Sequence, residues 1–317
     1  MIISIRLKNF FSLHDDVALD FTAISKPRKM GNHLPENLLM FNGDKFLNIL
    51  GLFGSNASGK SNVIKAIDFC RKLVLPSHLN NDGDQFDFEP FKFEPGKPSD
   101  FYINFVTEGS EYEYSFSLQD NRVVNESLYH FPNKRRSRIF ERKNTFQYSH
   151  RKGYINRPTE IEANTGANAL FLSRASSMSR PIAQKVYRFF KNEMAIGLEN
   201  IQLADFSEAE FELHKPMLLK ALEVGDSDIV DLRLSKSASG ETRLLSFHKE
   251  NASVAFDFNK EESEGTKRLL SIVAVFIKAS FSETTLFIDE FDLKLYQRGM
   301  KAYRDDPTTY TLDEVES

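Results

Sequence analysis

GSNASGKS (Gly54–Ser61) is the stretch of sequence that decides the fold. Its glycines let the backbone wrap closely around an anion, because no Cβ atom obstructs the approach. Loop amides and the N-terminus of a following helix would face that anion. Lys60 is placed to reach the β- and γ-phosphates of a nucleotide, and the Ser61 hydroxyl to coordinate Mg²⁺. The stretch predicts a phosphate-binding loop; the alternative is a glycine-rich turn before a helix.

The segments that flank this loop have the lengths of a strand and a helix. The mostly apolar run Phe46–Phe53 predicts a central strand covered on both faces. The apolar spacing in Ser61–Leu75 predicts an amphipathic helix. Near the N-terminus, alternation in Met1–Leu7 predicts a half-buried strand, with Val17–Phe21 as its hairpin partner. Strand, loop and helix thus occur in the order that phosphate-binding loops require.

The rest of the chain alternates between strand-like and helical stretches. Phe101–Thr107 and Glu111–Leu118 predict a hairpin, and Glu126–Phe131 predicts another strand. Helices are predicted in Asn168–Glu199 and Glu208–Val224. Further strands are expected at Asp228–Leu234, Glu241–His248, Ser253–Phe258 and Thr284–Ile288, and a further helix from about Glu262 to Ser280.

A second candidate element is LFIDE (Leu286–Glu290), an apolar strand that ends in two carboxylates. Ligand sites of parallel α/β sheets lie at such strand ends. Asp289 is placed to hold the Mg²⁺ shell, and Glu290 to orient or deprotonate the attacking water. The alternative is a strand that runs into an acidic turn.

A third element, ESEGTKR (Glu262–Arg268), opens an apolar-striped helix. Ser263 fits a helix N-cap, and Gly265 lets a ligand approach closely. Ordinary N-capping explains Ser263, but it gives no reason for Gly265 in a first turn, where glycine costs helix stability.

These elements, in this order, resemble the ABC-type ATPases of the RecF, SMC and OLD group. The resemblance is strongest to the AAA15-type family, which includes AbiL-type abortive-infection ATPases and the anti-phage ATPase of the PARIS system. It spans most of Met1–Asp292. The segments that carry it are Ile5–Ser12 (IRLKNFFS), Gly54–Asn62, Pro90–Phe93 (PFKF), Asn164–Ser173, Glu262–Ile272 and Phe287–Asp292.

The resemblance implies an α/β fold: an ABC-ATPase-type P-loop NTPase with mixed sheets, β-hairpin additions and an inserted helical arm or lid. It implies an N-terminal ATPase lobe at 1–125 and a basic, helical insert at 126–240. A C-terminal lobe would follow at 241–292, with an atypical short tail at 293–317.

The resemblance also implies ATP and Mg²⁺ as cofactors. Two copies would pair head to head as a homodimer or higher homo-oligomer, with ATP between the loop of one copy and Ser263 and Gly265 of the other. Lys60 and Glu290 would be catalytic, and Ser61 and Asp289 would hold the metal. The residues expected to bind the nucleotide are Gly54, Ser55, Asn56, Ala57, Ser58, Gly59, Lys60, Ser61, Asn62, Ser263 and Gly265. An effector nuclease or toxin of an anti-phage, abortive-infection system is the expected partner protein.

The sequence departs from the family after Asp292. Leu293–Tyr296 stands where the family has a Ser-Leu-His turn, and no switch histidine follows. Gln85 is the candidate for a magnesium-contacting glutamine, with a solvated loop residue as the alternative. We therefore expect nucleotide binding more firmly than turnover, and a non-hydrolysing ATP-dependent interaction module stays an alternative.

Composition limits the other classes of function. The formal net charge of -4 argues against a wholly basic nucleic-acid binder. A local basic segment, Lys134–Arg138 with Arg142, Lys143, Arg151 and Lys152, could still contact nucleic acid, as in a DNA-repair or chromosome-maintenance ATPase; a solvated charged face is the alternative.

A single cysteine, Cys70, excludes a disulfide framework. Without a signal peptide or a membrane-length apolar run, a cytoplasmic protein with no membrane partner is expected.

Overall fold

The computed structural model describes residues 1–23, 38–87, 89–197, 206–236, 242–280 and 284–289, with the backbone alone for 278–280. Within these residues the chain forms two compact units. The first is Met1–Ala195, and the second begins at Ile196.

A large antiparallel sheet forms the centre of the first unit. The strands of this unit are β1 (Ile2–Lys8), β2 (Val17–Asp20), β3 (Leu38–Phe41), β4 (Asp44–Leu47), β5 (Ser99–Thr107), β6 (Ser110–Gln119), β7 (Arg122–His130), β8 (Ser137–Lys143) and β9 (Gln147–His150). Among the described residues, seven of them form one sheet in the order β2-β1-β5-β6-β7-β8-β9. The predicted hairpins β1–β2 and β5–β6 are confirmed. In β6, Tyr112, Tyr114, Phe116 and Leu118 alternate with more exposed residues, which is the pattern of a strand with one buried face.

Helices cover this sheet. They are α1 (Lys60–Val74), α2 (Pro158–Ala163), α3 (Phe171–Ser177) and α4 (Pro181–Asn192). The helix α1 confirms the prediction for Ser61–Leu75. Its residues Ile67 and Cys70 line a void of about 10 Å³ together with Ile5 of β1 and Phe101 of β5. The helix therefore packs directly on the strands at one end of the sheet order.

The helical prediction for Asn168–Glu199 is confirmed in part, by two separate helices. The stretch forms α3 and α4, because Ser179 is left-handed (φ 61) and Pro181 begins a new helix. The Phe189 ring of α4 stacks on Phe105 of β5 with centroids 3.9 Å apart. These helices contribute to the core of the first unit.

The predicted central strand at Phe46–Phe53 is wrong. β4 ends at Leu47, where its pairing with β3 also ends. Beyond it, Ile49 and Phe53 are 73% and 58% exposed. No described strand of the first unit pairs with residues 48–53. An apolar run becomes a covered strand only where neighbouring strands accept its hydrogen bonds, and the run itself does not specify them.

The second unit has its own core. After β10 (Met194–Ile196), at the boundary of the units, its elements are α5 (Glu208–Val224), β11 (Ile229–Lys236), β12 (Thr242–His248), β13 (Asn251–Asp257), α6 (Phe258–Glu261), α7 (Glu264–Ser280) and β14 (Thr285–Phe287). β11, β12 and β13 form an antiparallel sheet in that order. One apolar cluster joins Phe211 and Leu218 of α5, Leu232 of β11, Leu244 of β12 and Leu270 of α7.

The division into lobes and insert expected from the resemblance stays a prediction, and its boundaries can be compared with the strands of the first unit. The expected boundary between residues 125 and 126 falls inside β7, and the sheet continues through β8 and β9. The first part of the region assigned to a basic, helical insert is therefore sheet.

The tail at 293–317 lies outside the described residues. Among the described helices, none combines the length and the apolar character needed to cross a bilayer.

The basic segment is largely engaged within the protein. Arg142 of β8 is completely buried, opposite Glu126 of β7, and its Nη1 lies 3.6 Å from the Glu126 carboxylate. Its guanidinium also donates to the carbonyls of Thr145, Gly166 and Ala169. The remaining pairs are Arg136 with Glu113, and both Arg138 and Lys143 with Glu141.

Replacement of Arg142 tests this packing. Arg142→Met leaves Glu126 buried without its cation, so we expect the free energy of unfolding to fall by about 3–5 kcal/mol. Arg138→Met is the matched control, because its ion pair is exposed and contributes less than about 1 kcal/mol. Urea denaturation followed by far-UV circular dichroism measures both. Equal losses in the two variants would contradict the structural role of Arg142.

Candidate functional site

Gly59 shapes the junction between the loop and α1. It is left-handed (φ 95), a conformation that favours glycine. A Cβ atom there would lie 3.3 Å from Cδ2 of Leu13 and 3.4 Å from Oγ of Ser12. Its carbonyl accepts from the amides of Asn62 (2.9 Å) and Val63 (3.1 Å), which starts the helix. The backbone conformation therefore favours glycine at this position, and a Cβ atom would be in tight contact with the two side chains.

The Lys60 side chain folds back over the loop. Its Nζ donates to the carbonyl oxygens of Gly54 and Ser55, both at 2.8 Å, and lies 3.4 Å from Oγ of Ser58. The residues Gly54–Ser58 are exposed to solvent. An ammonium group bound to neutral carbonyls can exchange them for phosphate oxygens, because hydrogen bonds between two charged groups are stronger. The loop thus presents a cation and a helix N-terminus free of carboxylates to an incoming anion.

An open cleft of about 340 Å³ lies beside the loop. Its walls include Phe11, Ser12, Asn62, Phe91, Lys92 and Phe93. Nδ2 of Asn62 donates to Oγ of Ser12 at 2.7 Å, which joins the first turn of α1 to the turn after β1. The sequence did not reveal Ser12 or this cleft as part of the site. The recurrence of Phe in NFF (Asn9–Phe11) and PFKF (Pro90–Phe93) was the available signal.

In the second unit, Ser263 caps α7. Its Oγ accepts from the Thr266 amide at 3.1 Å, and its carbonyl accepts from the Lys267 amide at 3.0 Å. Gly265 lies half-buried in the first turn. Ordinary N-capping therefore accounts for Ser263. The Ser263 side chain is nevertheless exposed at the N-terminus of a long helix.

A polar network that the sequence did not reveal anchors the residue before Ser263. Oε1 of Glu262 accepts from Oγ of buried Ser246 (2.5 Å) and lies 2.8 Å from Nε2 of His248. Nδ1 of His248 lies 2.8 Å from Asp228. Burial opposes the charged imidazolium, but the hydrogen bonds to Asp228 and Glu262 outweigh it and raise the pKa of His248 above 6.5.

The remaining candidate residues, Asp289, Glu290 and Gln85, belong neither to the loop at Gly54–Asn62 nor to the start of α7. Asp289 is half-buried, two residues after β14, and the Phe287 carbonyl accepts from the Gly197 amide at 2.9 Å. Glu290 lies outside the described residues. Gln85 is exposed in an irregular loop, as expected of a solvated residue. The structure thus brings Gly54–Asn62 together in the first unit, and it places Ser263, Gly265 and Asp289 in the second.

Comparison with known proteins gives one family. The family model described as "AAA domain, putative AbiEii toxin, Type IV TA system" matches residues 49–297. No curated protein matches the chain. Among solved structures, the chain is similar to the SMC head domain from Thermotoga maritima, with 11% sequence identity and a TM-score of 0.38 over 93% of this chain and 79% of that one.

The His248 network predicts a pH dependence of stability. Because the folded protein raises the pKa of His248, its stabilisation is complete below about pH 6.5 and is lost as the pH rises through the folded-state pKa. His248→Gln should therefore lower the melting temperature most at acidic pH, and the difference from the wild type should shrink towards alkaline pH. Thermal melts across this range measure it, with Asp228→Asn expected to show a weaker version. A difference that does not change with pH would refute the assignment.

Proposed function

The chain belongs to the AAA-domain family whose model matches residues 49–297, and on that premise we propose that it binds Mg·ATP through Gly54–Asn62. The observation that carries the proposal is the loop itself. The left-handed Gly59 opens α1, and the Lys60 ammonium lies on the loop carbonyls. This arrangement offers a triphosphate backbone amides, a helix N-terminus and a cation within one short segment.

The residues present fit a magnesium nucleotide. Glycine stands at the two ends of the loop, where a Cβ atom at Gly54 would lie 2.8 Å from Oγ of Ser58 and one at Gly59 would meet Leu13. In this proposal Lys60 binds the β- and γ-phosphates, and Ser61 and Asp289 hold Mg²⁺. A bound Mg²⁺ would neutralise charge on the phosphates. Glu290 would orient the attacking water, so the proposal includes hydrolysis of ATP.

The proposed assembly is a pair of chains that close around ATP. Ser263 and Gly265 of one copy would contact the triphosphate held by the loop of the other. The exposed Ser263 hydroxyl at the N-terminus of α7 supports this, because helix N-termini favour anions. ATP would then stabilise the closed pair, and its hydrolysis would release it.

For the biological role, we favour a sensor or scaffold subunit of an anti-phage, abortive-infection system of the AAA15 or OLD type, acting with an effector nuclease or toxin. The family description supports this through its reference to a toxin of a toxin–antitoxin system. Direct binding to DNA receives less support, because Arg142 is buried and Arg136, Arg138 and Lys143 lie beside carboxylates.

Removal of the loop cation tests nucleotide binding. Lys60→Ala should weaken Mg·ATP binding by about 100-fold or more, because the phosphates lose their charge-assisted hydrogen bonds to the ammonium group. Lys65→Ala is the matched control, since Lys65 is exposed on the same helix away from the loop. Isothermal titration calorimetry measures both. Unchanged affinity in Lys60→Ala would refute the site.

Replacement of the proposed water-orienting carboxylate separates binding from turnover. Glu290→Gln should keep Mg·ATP affinity and abolish phosphate release. An ATP-dependent pair should then accumulate, because without hydrolysis the two chains stay closed around ATP. Light scattering after size exclusion and a phosphate-release assay measure this. If the wild type binds ATP and releases no phosphate, the chain is a non-hydrolysing module. If the variant stays monomeric with saturating Mg·ATP, the proposed pairing is wrong.

A further inference from the structure

We infer that His248 is a positioning residue for the proposed pairing of two chains. In this inference His248 holds Glu262, and through it the neighbouring Ser263, in place for the triphosphate of the other copy. The hold depends on a proton on the imidazole ring, so ATP-dependent pairing is stronger at acidic pH than at alkaline pH. The inference rests on the proposed function, since it assumes that Ser263 contacts ATP held by the loop of a second copy.

Glu262 and Ser263 form the junction between two helices of the second unit. α6 ends at Glu261 and α7 begins at Glu264, so these two residues alone connect them. The backbone of Glu262 is extended, and the helical hydrogen bonds of α6 therefore do not continue into α7. The position of Ser263 thus depends on contacts that fix this junction from outside the two helices.

The Glu262 side chain attaches the junction to β12. It is only 9% exposed, and its Oε1 accepts from Oγ of Ser246 and lies 2.8 Å from Nε2 of His248. Ser246 is completely buried. Both partners belong to β12, which lies between β11 and β13 in its sheet. The junction that carries Ser263 is therefore held by the middle strand of the three.

The His248 ring can donate to both of its neighbours only when it is protonated. Nδ1 lies 2.8 Å from Oδ1 of Asp228, and Nε2 lies 2.8 Å from Oε1 of Glu262. An ionised carboxylate only accepts hydrogen bonds, a neutral imidazole has one N–H donor, and the imidazolium has two. Loss of the proton therefore sets a nitrogen lone pair against one of the carboxylates and removes the positive charge between them.

The surroundings of His248 give the two carboxylates different roles. β13 contributes the Phe256 ring, which is uncharged and lies 4.7 Å from the imidazole between centroids. Lys249 is exposed, and its charge lowers the pKa of Asp228, to which the hydrogen bond from His248 contributes most. The Asp228 side chain is 64% exposed, so water can solvate it when the ring is neutral. Glu262 is mostly buried and depends on its hydrogen bonds from β12.

The protonation of His248 therefore changes how firmly the junction is held. A charge-assisted hydrogen bond to Glu262 is stronger than one from a neutral ring. Pairing selects chains in which Ser263 is in place, so the apparent affinity falls with the fraction of chains that hold it there. We expect the loss of the proton to weaken pairing by about fivefold.

Sedimentation of the full chain in the Glu290→Gln background tests the inference. Because this variant should keep the pair closed, the dissociation constant of the pair is measured at saturating Mg·ATP from about pH 6 to about pH 9. The test variants are His248→Gln, which can donate to Glu262 without a charge, and Glu262→Gln, which removes the carboxylate charge. His150→Gln is the matched control, because Nε2 of His150 also lies 2.6 Å from a glutamate, Glu162, but in the first unit.

We expect the background chain to pair about fivefold more tightly at the acidic end of this range than at the alkaline end. His248→Gln and Glu262→Gln should pair about fivefold more weakly than the background at the acidic end and should show a flat pH profile. His150→Gln should follow the background at every pH. Mg·ATP affinity, measured at protein concentrations too low for pairing, should be the same in all four chains, and thermal melts verify that each is folded at the temperature used.

Three results would overturn the inference and leave the proposed pairing standing. They are unchanged pairing in His248→Gln, a loss in His248→Gln that is equal at every pH, and a loss of the same size in His150→Gln. If the background chain binds Mg·ATP but does not pair at any pH, the proposed pairing is wrong and the inference fails with it. If none of the chains binds Mg·ATP, the proposed function itself is refuted.

Discussion

The packing of α1 on the antiparallel sheet is the interaction on which the candidate site depends. Ile67 and Cys70 of α1 meet Ile5 and Phe101 of the sheet, and the Phe69 ring lies 5.5 Å from that of Phe101. Fully buried apolar side chains of this size each contribute about 1.5–3 kcal/mol. The exposed loop has no core of its own. The helix that follows the loop therefore fixes its position. Backbone amides can bind an anion there because the first turn of the helix is rigid.

The turn after β1 connects the phosphate loop with the aromatic cleft. Asn9 (φ 53) and Phe11 (φ 47) are both left-handed, which is unfavourable for residues that carry a Cβ atom. The buried amide of Asn9 offsets part of this cost through its hydrogen bonds to the loop that carries Phe91. The same turn brings Ser12 and Leu13 against Gly59. The strained turn thus contacts both the loop at Gly59 and the segment that carries Phe91.

Two networks of charged side chains, one in each unit, hold elements of the fold together. Arg142 looks like part of a basic surface segment in the sequence, yet it closes a buried network with Glu126, and Tyr114 donates to the same carboxylate. Burial raises the pKa of Glu126, and Arg142 together with two backbone amides opposes that shift. In the second unit, Glu262 and His248 likewise tie β12 to the start of α7. The loop around Lys60 then stands out as an exposed site for an anion.

The sequence by itself determined those features that depend on neighbours along the chain. The phosphate loop, α1, the hairpins β1–β2 and β5–β6, and the cap at Ser263 all follow from local periodicity and turn chemistry. Only the tertiary structure decided that residues 48–53 have no described strand partner in their unit, that Arg142 is buried, and that Phe11 and Phe91 line one cleft. Each of these outcomes depends on contacts between residues far apart in sequence. A local pattern indicates which side chains are buried. The residues that cover them are determined by the packing of the whole unit.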